Sequence, residues 1–377
     1  MFQCHRLRAL LYSSSSPKCY VTLKPFSFST TISSDSDKQS FTVSYLINNC
    51  GLSPQDALKA SKCFHFNTPH KPDSFISFFK THGFSNDQIQ SIIRRIPPII
   101  VSNPIKTILP KFQFLASKGA SPQDIVVTVT KCPRFLCSSL HKQIIPAFDL
   151  VRSFCPSDQR AITIINSYPT SIARSRLKPN VQILLDFGVN RASIYNLLRT
   201  NPFTIINPGL RRSVEEIKGL GFEPSNYNFC VALATKMAVT KSQWDAKVDV
   251  LKKWGLSQDS ILHGYKKNPK FMLRSADKLN AVMSFWIKQL GWDPSLLMAA
   301  PVLFGFSLEK RLLPRASVIR HLLSKGLIKK GASLTAPFIL TDELFLQWCV
   351  NRFEEEVPTL LKLYHREEAS ICCLDKL

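Results

Sequence analysis

Apolar residues recur along the chain at the spacing of one helical face, in segments that stop at a proline. Before Pro97, for example, Ile89, Ile92, Ile93 and Ile96 follow the spacing i, i+3, i+4, i+7 of an amphipathic helix. Proline lacks a backbone N–H and clashes with the preceding turn, so the helix should end at Ile96. The pattern predicts a short helix that ends in the sequence RRIPPII, with two arginines beside its last residue.

This proline belongs to a series. The pattern Pro-x-apolar-apolar occurs at six landmark prolines, which are Pro97, Pro133, Pro169, Pro202, Pro269 and Pro301. Their intervals are 36, 36, 33, 67 and 32 residues, so the long interval spans two repeats, one of which lacks its proline near Met237. Landmark glycines keep the same spacing at positions 51, 83, 119, 188, 221, 255, 291 and 326, with Cys155 in place of one. The chain is therefore predicted to be a tandem array of repeats of about 34 residues.

Each repeat is predicted to contain two helices. The sequence SPQD, at 53–56 and again at 121–124, supplies an N-cap, a proline in the first turn and an acceptor for a capping box. The first helix should end at the landmark proline, and the second at the landmark glycine as its C-cap. Such a pair cannot bury its apolar face alone, so neighbouring repeats should stack. The residues 18 positions after the landmark prolines should form a buried stripe: Leu115, Val151, Phe187, Leu220, Ile287 and Ile319.

These patterns predict an all-α fold, a superhelical solenoid of about eight to nine repeats over residues 41–340. Residues 341–377 lack the Pro–Gly spacing and carry three successive glutamates, so they are expected to form a helical cap and tail. Residues 1–36 have four basic residues, many hydroxyl residues and no acid before Asp35, which is typical of an organelle transit peptide. Early arginines favour the mitochondrion, and the serine content also fits a chloroplast.

The net charge of the chain indicates the chemical class of its ligand. The chain has 49 basic and 26 acidic residues, and +17 of its net +23 falls in residues 1–212. An excess of this size is typical of a protein that binds a polyanion. The residue nine positions after each landmark proline is basic in all six repeats, and we call this set the basic stripe: Lys106, Lys142, Lys178, Arg211, Lys278 and Lys310. Stacked repeats would align these side chains along one line of phosphates.

A second basic set, the pre-proline set, lies two or three residues before the landmark prolines: Arg94, Arg95, Lys131, Arg199, Lys266 and Lys267. These residues, with Arg134, are also predicted to contact nucleic acid. A structural alternative exists for both sets. Duplication can copy a solvated lysine without selection for binding, and a cation at a helix C-terminus favours the macrodipole by itself.

Other functional classes find little support. The eleven cysteines are scattered and form no CxxC pair, so reduced thiols and no structural metal are expected. Phosphate-binding glycine loops, nucleophile–base arrangements and apolar runs of about 18 residues are missing. The sequence therefore predicts neither an enzyme nor a cofactor. The five tryptophans are interpreted as helix-packing residues.

A repeat with a capped helix, Pro-x-apolar-apolar, a basic residue, a second helix and a glycine resembles the repeat of the mitochondrial transcription termination factor (mTERF) family. The segments FTVSYLINNCGLSPQDALKAS and FLQWCVNRFEEEVPTLLKLYH resemble the plant branch of that family. The resemblance covers roughly 41–365 and departs at Met237 and Cys155. It implies a left-handed superhelix with two α-helices and a 3₁₀ turn per repeat, and a basic concave face that holds nucleic acid. Family members are not enzymes and act in organelle transcription, RNA processing, translation or ribosome assembly.

The favoured hypothesis is a monomeric regulator of mitochondrial gene expression that binds double-stranded DNA, for example in transcription termination. Arginine is the commonest reader of guanine, so Arg134, Arg174, Arg176 and Arg274 are the candidate base readers. An RNA-binding role in intron splicing or ribosome assembly is the first alternative. A pentatricopeptide-type reader of single strands is disfavoured by the proline in nearly every repeat. The alternative from another class is a protein-binding helical scaffold, whose partners would be organellar transcription, splicing or ribosomal proteins.

Overall fold

The computed structural model describes residues 35–173, 175–329 and 333–365, and these residues form helices and turns with no β-strand. The predicted transit peptide, residues 1–36, lies outside the described residues except for its last two positions. Backbone contacts divide the chain between Arg211 and Arg212. We describe residues 35–211 as the amino-terminal half and residues 212–365 as the carboxy-terminal half. The described helices include none that is long and apolar enough to cross a membrane.

In the amino-terminal half, capped first helices alternate with second helices. The array opens with the helix Asp35–Asn48. The first helices are Pro54–Ser61, Asn86–Arg95, Pro122–Lys131, Asp158–Ser167 and Arg191–Thr200. The turns at the landmark prolines are Pro97–Val101, Pro133–Cys137, Pro169–Ser171 and the short helix Pro202–Ile205. The second helices are His70–Thr81, Leu109–Ser117 after the short helix Pro104–Thr107, Ile145–Phe154 after the π turn Leu140–Ile144, and Leu177–Asp186. The helix Leu210–Gly219 begins at the division.

The carboxy-terminal half continues the pattern and ends in a different arrangement. Its first helices are Tyr227–Ala238, Gln258–Lys267 and Ser295–Ala299, and its 3₁₀ turns are Pro269–Leu273 and Pro301–Gly305. Its second helices are Lys241–Lys253, Ala276–Ser284 with the π turn Phe285–Gln289, and Leu313–Ser324 after the π turn Leu308–Leu312. The short helix Ala336–Ile339 follows, and the region predicted as the cap contains Asp342–Leu346, the π turn Gln347–Asn351, Glu354–Glu356 and Val357–Tyr364.

The landmark residues have the roles that their spacing predicts. Every landmark proline opens the turn after a first helix. The landmark glycines are the glycines with positive φ in the described residues, from 63° to 87°, a region that side chains on Cα disfavour. Cys155, which stands where a landmark glycine is expected, ends its helix with an extended backbone instead, at φ −97° and ψ 150°. The Arg152 guanidinium donates to the Cys155 carbonyl at 2.7 Å and pairs with Asp158, which holds this turn without a glycine.

The repeat without a landmark proline has a different junction. Its first helix continues through Met237 to Ala238, and no 3₁₀ turn follows. Only two residues intervene before the second helix begins at Lys241, with Thr240 as N-cap and Gln243 completing a capping box. Without the proline no backbone donor is lost at Met237, so the helix is not forced to stop there.

The predicted buried stripe is confirmed at four of its six positions. Leu115, Val151, Leu220 and Ile319 are buried, whereas Phe187 and Ile287 are half-buried. Phe187 is the C-cap of its helix, and the Arg211 guanidinium lies 6.0 Å from its ring centroid. Ile287 lies in the π turn Phe285–Gln289, where the extra residue per turn rotates the helical face.

Buried polar side chains join the second helix of one repeat to the turn of the next, in every other repeat. The donors and acceptors are 25 residues apart in each case: Lys111 to Leu136, Asn180 to Ile205, Lys247 to Met272, and Arg315 to Leu340. Burial lowers the pKa of Lys111 and of Lys247. The sequence analysis did not identify these four residues as buried donors, because one polar residue within an apolar helix face carries no recognisable pattern in a single repeat.

The interpretation of all five tryptophans as packing residues is wrong for one of them. Trp286 and Trp244 are buried, and Trp254 and Trp292 are half-buried. Trp348, in the cap, exposes 55% of its surface.

Candidate nucleic-acid interface

The basic stripe lies at the start of the second helix or in the short helix or π turn that directly precedes it. In four repeats the backbone N–H of the stripe residue donates to the N-cap side chain three residues earlier. These pairs are Lys106 with Asn103, Lys142 with Ser139, Lys278 with Ser275, and Lys310 with Ser307, at 3.1–3.2 Å. Lys178 and Arg211 are the second residues of the helices Leu177–Asp186 and Leu210–Gly219. The turn length therefore keeps each cation in register with its helix start.

Helix stability does not account for a cation at this position. The N-terminal turn is the positive end of the macrodipole, where carboxylates are favoured and cations are unfavourable. Five of the six stripe residues are nevertheless exposed, and Lys278 is half-buried. An exposed cation beside a helix N-terminus is the arrangement that binds phosphate. The alternative of a copied helix-end lysine therefore lacks the electrostatic support that it has at a C-terminus.

The stripe side chains also have few partners of their own. Among the residues that the structure describes, the side chains of Lys106, Lys142 and Lys178 form no hydrogen bond or ion pair. Lys278 is close to a carboxylate of the next repeat. The pKa of Glu309 is lowered chiefly by its own backbone N–H, and further by Ser307 and Lys278. Most of the stripe is thus available to an external anion.

The stripe is interrupted in the repeat without a landmark proline. The third residue of its second helix is Gln243, whose N–H donates to Thr240 Oγ1 at 3.3 Å and whose side chain accepts from the Thr240 N–H at 3.1 Å. A neutral capping residue therefore stands where four other repeats have Lys, and the cation of this first turn is Lys241, the first residue of the helix. Counting from prolines could not reveal this position, since the repeat has no proline to count from.

Half of the pre-proline set has a structural role. Arg95 donates to the carbonyls of Thr130 and Lys131 at 3.1 and 3.4 Å, and Lys131 donates to that of Asn166 at 2.9 Å. Lys267 donates to the Ala299 carbonyl at 3.2 Å. Each cation thus reaches the C-terminal end of the first helix in the next repeat, where both the free carbonyls and the macrodipole favour it. These three residues hold neighbouring repeats together.

The rest of the pre-proline set and three of the candidate base readers, Arg134, Arg176 and Arg274, are exposed. Arg94, Arg199 and Lys266 form no side-chain hydrogen bond within the described residues. Arg134 follows Pro133 on the exposed side of its 3₁₀ turn, whereas Phe135 and Leu136 are buried.

The candidate base readers occupy different structural positions. Arg176 is the N-cap residue before Leu177–Asp186, and Arg274 is the C-cap of the turn Pro269–Leu273. Arg134, Arg176 and Arg274 therefore share no single structural position. Arg174 lies outside the described residues.

No metal site accompanies this surface: the described residues contain no group of three or more His, Cys, Asp or Glu side chains that could hold an ion. Burial raises the pKa of the Cys50 and Cys230 thiols to about 12, so both are protonated at neutral pH. The arrangement as described can bind anions.

Comparisons with known proteins agree with the repeat pattern. The mTERF family model matches residues 76–223 and 174–346. A protein of Arabidopsis thaliana named "Transcription termination factor MTERF8, chloroplastic" is 20% identical over 183 residues, which is 47% of this chain and 35% of the relative. The match thus spans about a third of that relative's length.

Proposed function

Because the chain belongs to the mTERF family, we propose that it binds double-stranded DNA in an organelle and regulates transcription there, for example by termination. Family membership supports the coarser statement, a nucleic-acid-binding regulator of organellar gene expression. The observation that carries the proposal is a cation at the start of the second helix, or in the short helix or π turn that precedes it, in six repeats; five of these cations are exposed.

Phosphate contact is the physical basis of the proposal. Each cation that displaces a counterion from duplex DNA changes the slope of log affinity against log salt by about 0.9, and by about 0.7 on a single strand. A line of cations with one member per repeat would fix the position of the backbone and carry no sequence information. Base recognition would then depend on other exposed side chains, for which Arg134, Arg176 and Arg274 are candidates.

RNA binding in splicing or ribosome assembly is the alternative, and the same stripe would serve it. The name of the Arabidopsis relative refers to transcription termination, which favours DNA. Two binding curves separate the alternatives: the full chain titrated across salt with a matched duplex DNA and with a single-stranded RNA. Tighter binding to the duplex supports the proposal, and tighter binding to the RNA moves the function to RNA processing.

The stripe itself can be tested with a charge-matched control. The variant K106Q/K142Q/K178Q/R211Q should flatten the duplex salt slope by about one unit per lost contact. The control K59Q/K62Q/K71Q/K80Q removes the same charge from exposed lysines of the same half and should change the slope little. Equal effects of the two variants would mean that net charge alone attracts the nucleic acid, and the stripe would lose its role.

Import into an organelle is part of the proposal. The early arginines favour a mitochondrion, whereas the relative is named as chloroplastic. Residues 1–36 fused to a fluorescent protein should direct it into mitochondria. Accumulation in plastids would reassign the organelle, and a cytosolic fusion would refute the transit peptide.

A further inference from the structure

An exposed apolar pair stands out on the carboxy-terminal cap. Leu344 and Trp348 expose 40% and 55% of their surfaces and are four residues apart in consecutive helical turns, Asp342–Leu346 and Gln347–Asn351. Residues at this spacing are neighbours on a helix surface. Their neighbours Phe345, Cys349 and Val350 are buried in the core of the cap, whereas Leu344 and Trp348 lie at its exposed surface. The pair is available for contact.

The segment that carries this pair has a charge opposite to that of the rest of the chain. Residues 341–365 contain five carboxylates and two basic residues, in a protein of net charge +23. Asp342 pairs with Arg315, and Glu356 pairs with His321 and Lys325. Glu343, Glu354 and Glu355 are exposed and have no ion pair among the described residues, while Arg352 is the exposed cation one turn after Trp348. We call Leu344, Trp348 and these three glutamates the cap patch.

We propose that the cap patch binds a partner protein, through a helix or loop that presents an apolar side chain flanked by lysine or arginine. Exposed tryptophans are enriched among the residues that dominate protein interfaces, and unpaired carboxylates around one select a basic rim on the partner. The family match ends at residue 346, so the patch lies at the edge of the shared repeat region.

Other occupants fit less well. A nucleic acid would bring phosphates against three unpaired glutamates. A second copy in a two-fold contact would place the same glutamates against one another, because each copy contributes the same surface. The segment 366–377 contains three acids and two basic residues, so it does not complement an acidic rim.

The first experiment measures whether Trp348 is free and what charge surrounds it. Fluorescence of the full chain is quenched with Cs⁺ and, separately, with iodide, and the W348F variant identifies the contribution of Trp348. We expect Trp348 to be quenched, and more strongly by Cs⁺ than by iodide, despite the positive net charge. Stronger quenching by iodide would contradict the acidic rim.

The second experiment uses two labelled helical peptides with the same leucine face, one flanked by lysines and the other by glutamates. The lysine peptide should bind the full chain, and W348A should weaken it by about tenfold or more. E343Q/E354Q/E355Q should remove the salt dependence of this binding. L58A, which removes another exposed apolar side chain, is the matched control and should bind like the wild type.

Three results would overturn the proposal. The lysine peptide could bind W348A as tightly as the wild type, which would place its site elsewhere. Trp348 could be protected from both fluorescence quenchers until residues 366–377 are deleted, which would make the occupant of the cap patch a segment of the same chain. The full chain could self-associate in sedimentation and lose this on W348A, which would make the occupant a second copy. In each case W348A should bind duplex DNA as tightly as the wild type does. A failure of the cap-patch proposal can therefore be distinguished from a failure of the nucleic-acid proposal.

Discussion

The two halves of the chain use the same repeat differently. In the amino-terminal half, four successive landmark prolines are each followed by a stripe cation, and the stripe is continuous from Lys106 to Arg211. In the carboxy-terminal half, the first repeat has lost its proline, its 3₁₀ turn and its stripe cation together, and the chain ends in an acidic cap. The proline thus does more than stop a helix. It sets the turn that places a charged residue at the start of the next helix.

The largest difference in stability that we expect between the halves concerns the buried donors, which are Lys111 in the amino-terminal half and Arg315 in the carboxy-terminal half. Arg315 is fully buried and donates to the carbonyls of Pro337, Phe338 and Leu340, whereas Lys111 donates to a single carbonyl. R315M should therefore lower the free energy of unfolding by about 3 kcal/mol or more, and K111M by about 1–2 kcal/mol. Urea unfolding of both variants measures the difference. An equal or smaller loss for R315M would mean that its carbonyls find other partners.

Restoring a proline near Met237 should damage the fold. The helix continues through this residue, so M237P removes a helical hydrogen bond and should cost about 3 kcal/mol. M237A is the control and keeps the backbone donor. The measurement is again the midpoint of urea unfolding. A stable M237P protein would show that the missing turn can form without the rest of the landmark sequence.

A cation can be added where the stripe is interrupted. Q243K places lysine at the third residue of the second helix, the position of Lys278 in the next repeat. If the stripe contacts duplex DNA in both halves, the salt slope should steepen by about 0.9. Q243A controls for the lost capping box, which should cost only about 0.5–1 kcal/mol of stability. A slope unchanged from that of Q243A would confine the contacts to repeats that keep the proline.

The cap should loosen in acid. The hydrogen bond from His321 is the main cause that lowers the pKa of Glu356, and Lys325 adds to it. Since the folded-state pKa lies below the unfolded value of about 4.3, the pair stabilises the cap above that pH. The contribution disappears as the pH falls through the folded-state pKa. The protection of Val357–Tyr364 against amide hydrogen exchange, measured relative to the intrinsic exchange rate at each pH, should fall on acidification in the wild type and show a weaker pH dependence in E356Q.

Much of this arrangement could be predicted from the sequence, because repetition turns weak local signals into strong ones. A single Pro or Gly is ambiguous, but six prolines and eight glycines at one spacing identified both helix ends in each repeat. A comparison based on what the repeats share does not reveal the features in which single repeats differ. Gln243, the turn at Cys155 and the exposure of Trp348 each occur once, and each depends on packing that no periodic pattern encodes.

The pre-proline set shows a second limit. Arg94 and Arg95 are adjacent and chemically identical, yet only Arg95 reaches the carbonyls of Thr130 and Lys131. Which of two neighbouring arginines faces the next repeat depends on the rotation of the helix and on the stacking of repeats. A charge count therefore overstates the binding surface.

The buried donors have one further consequence. Lys111, Asn180, Lys247 and Arg315 follow one another at 69, 67 and 68 residues, twice the spacing of the landmarks. In the two intervening repeats that have a landmark proline, the positions 25 residues before the turn are the apolar Ala147 and Leu279, and the third intervening repeat has no proline from which to count. The smallest interchangeable module is therefore a pair of repeats. An array lengthened or shortened by one repeat would bring two donors, or two apolar residues, into succession, whereas a change of two would preserve every buried pairing.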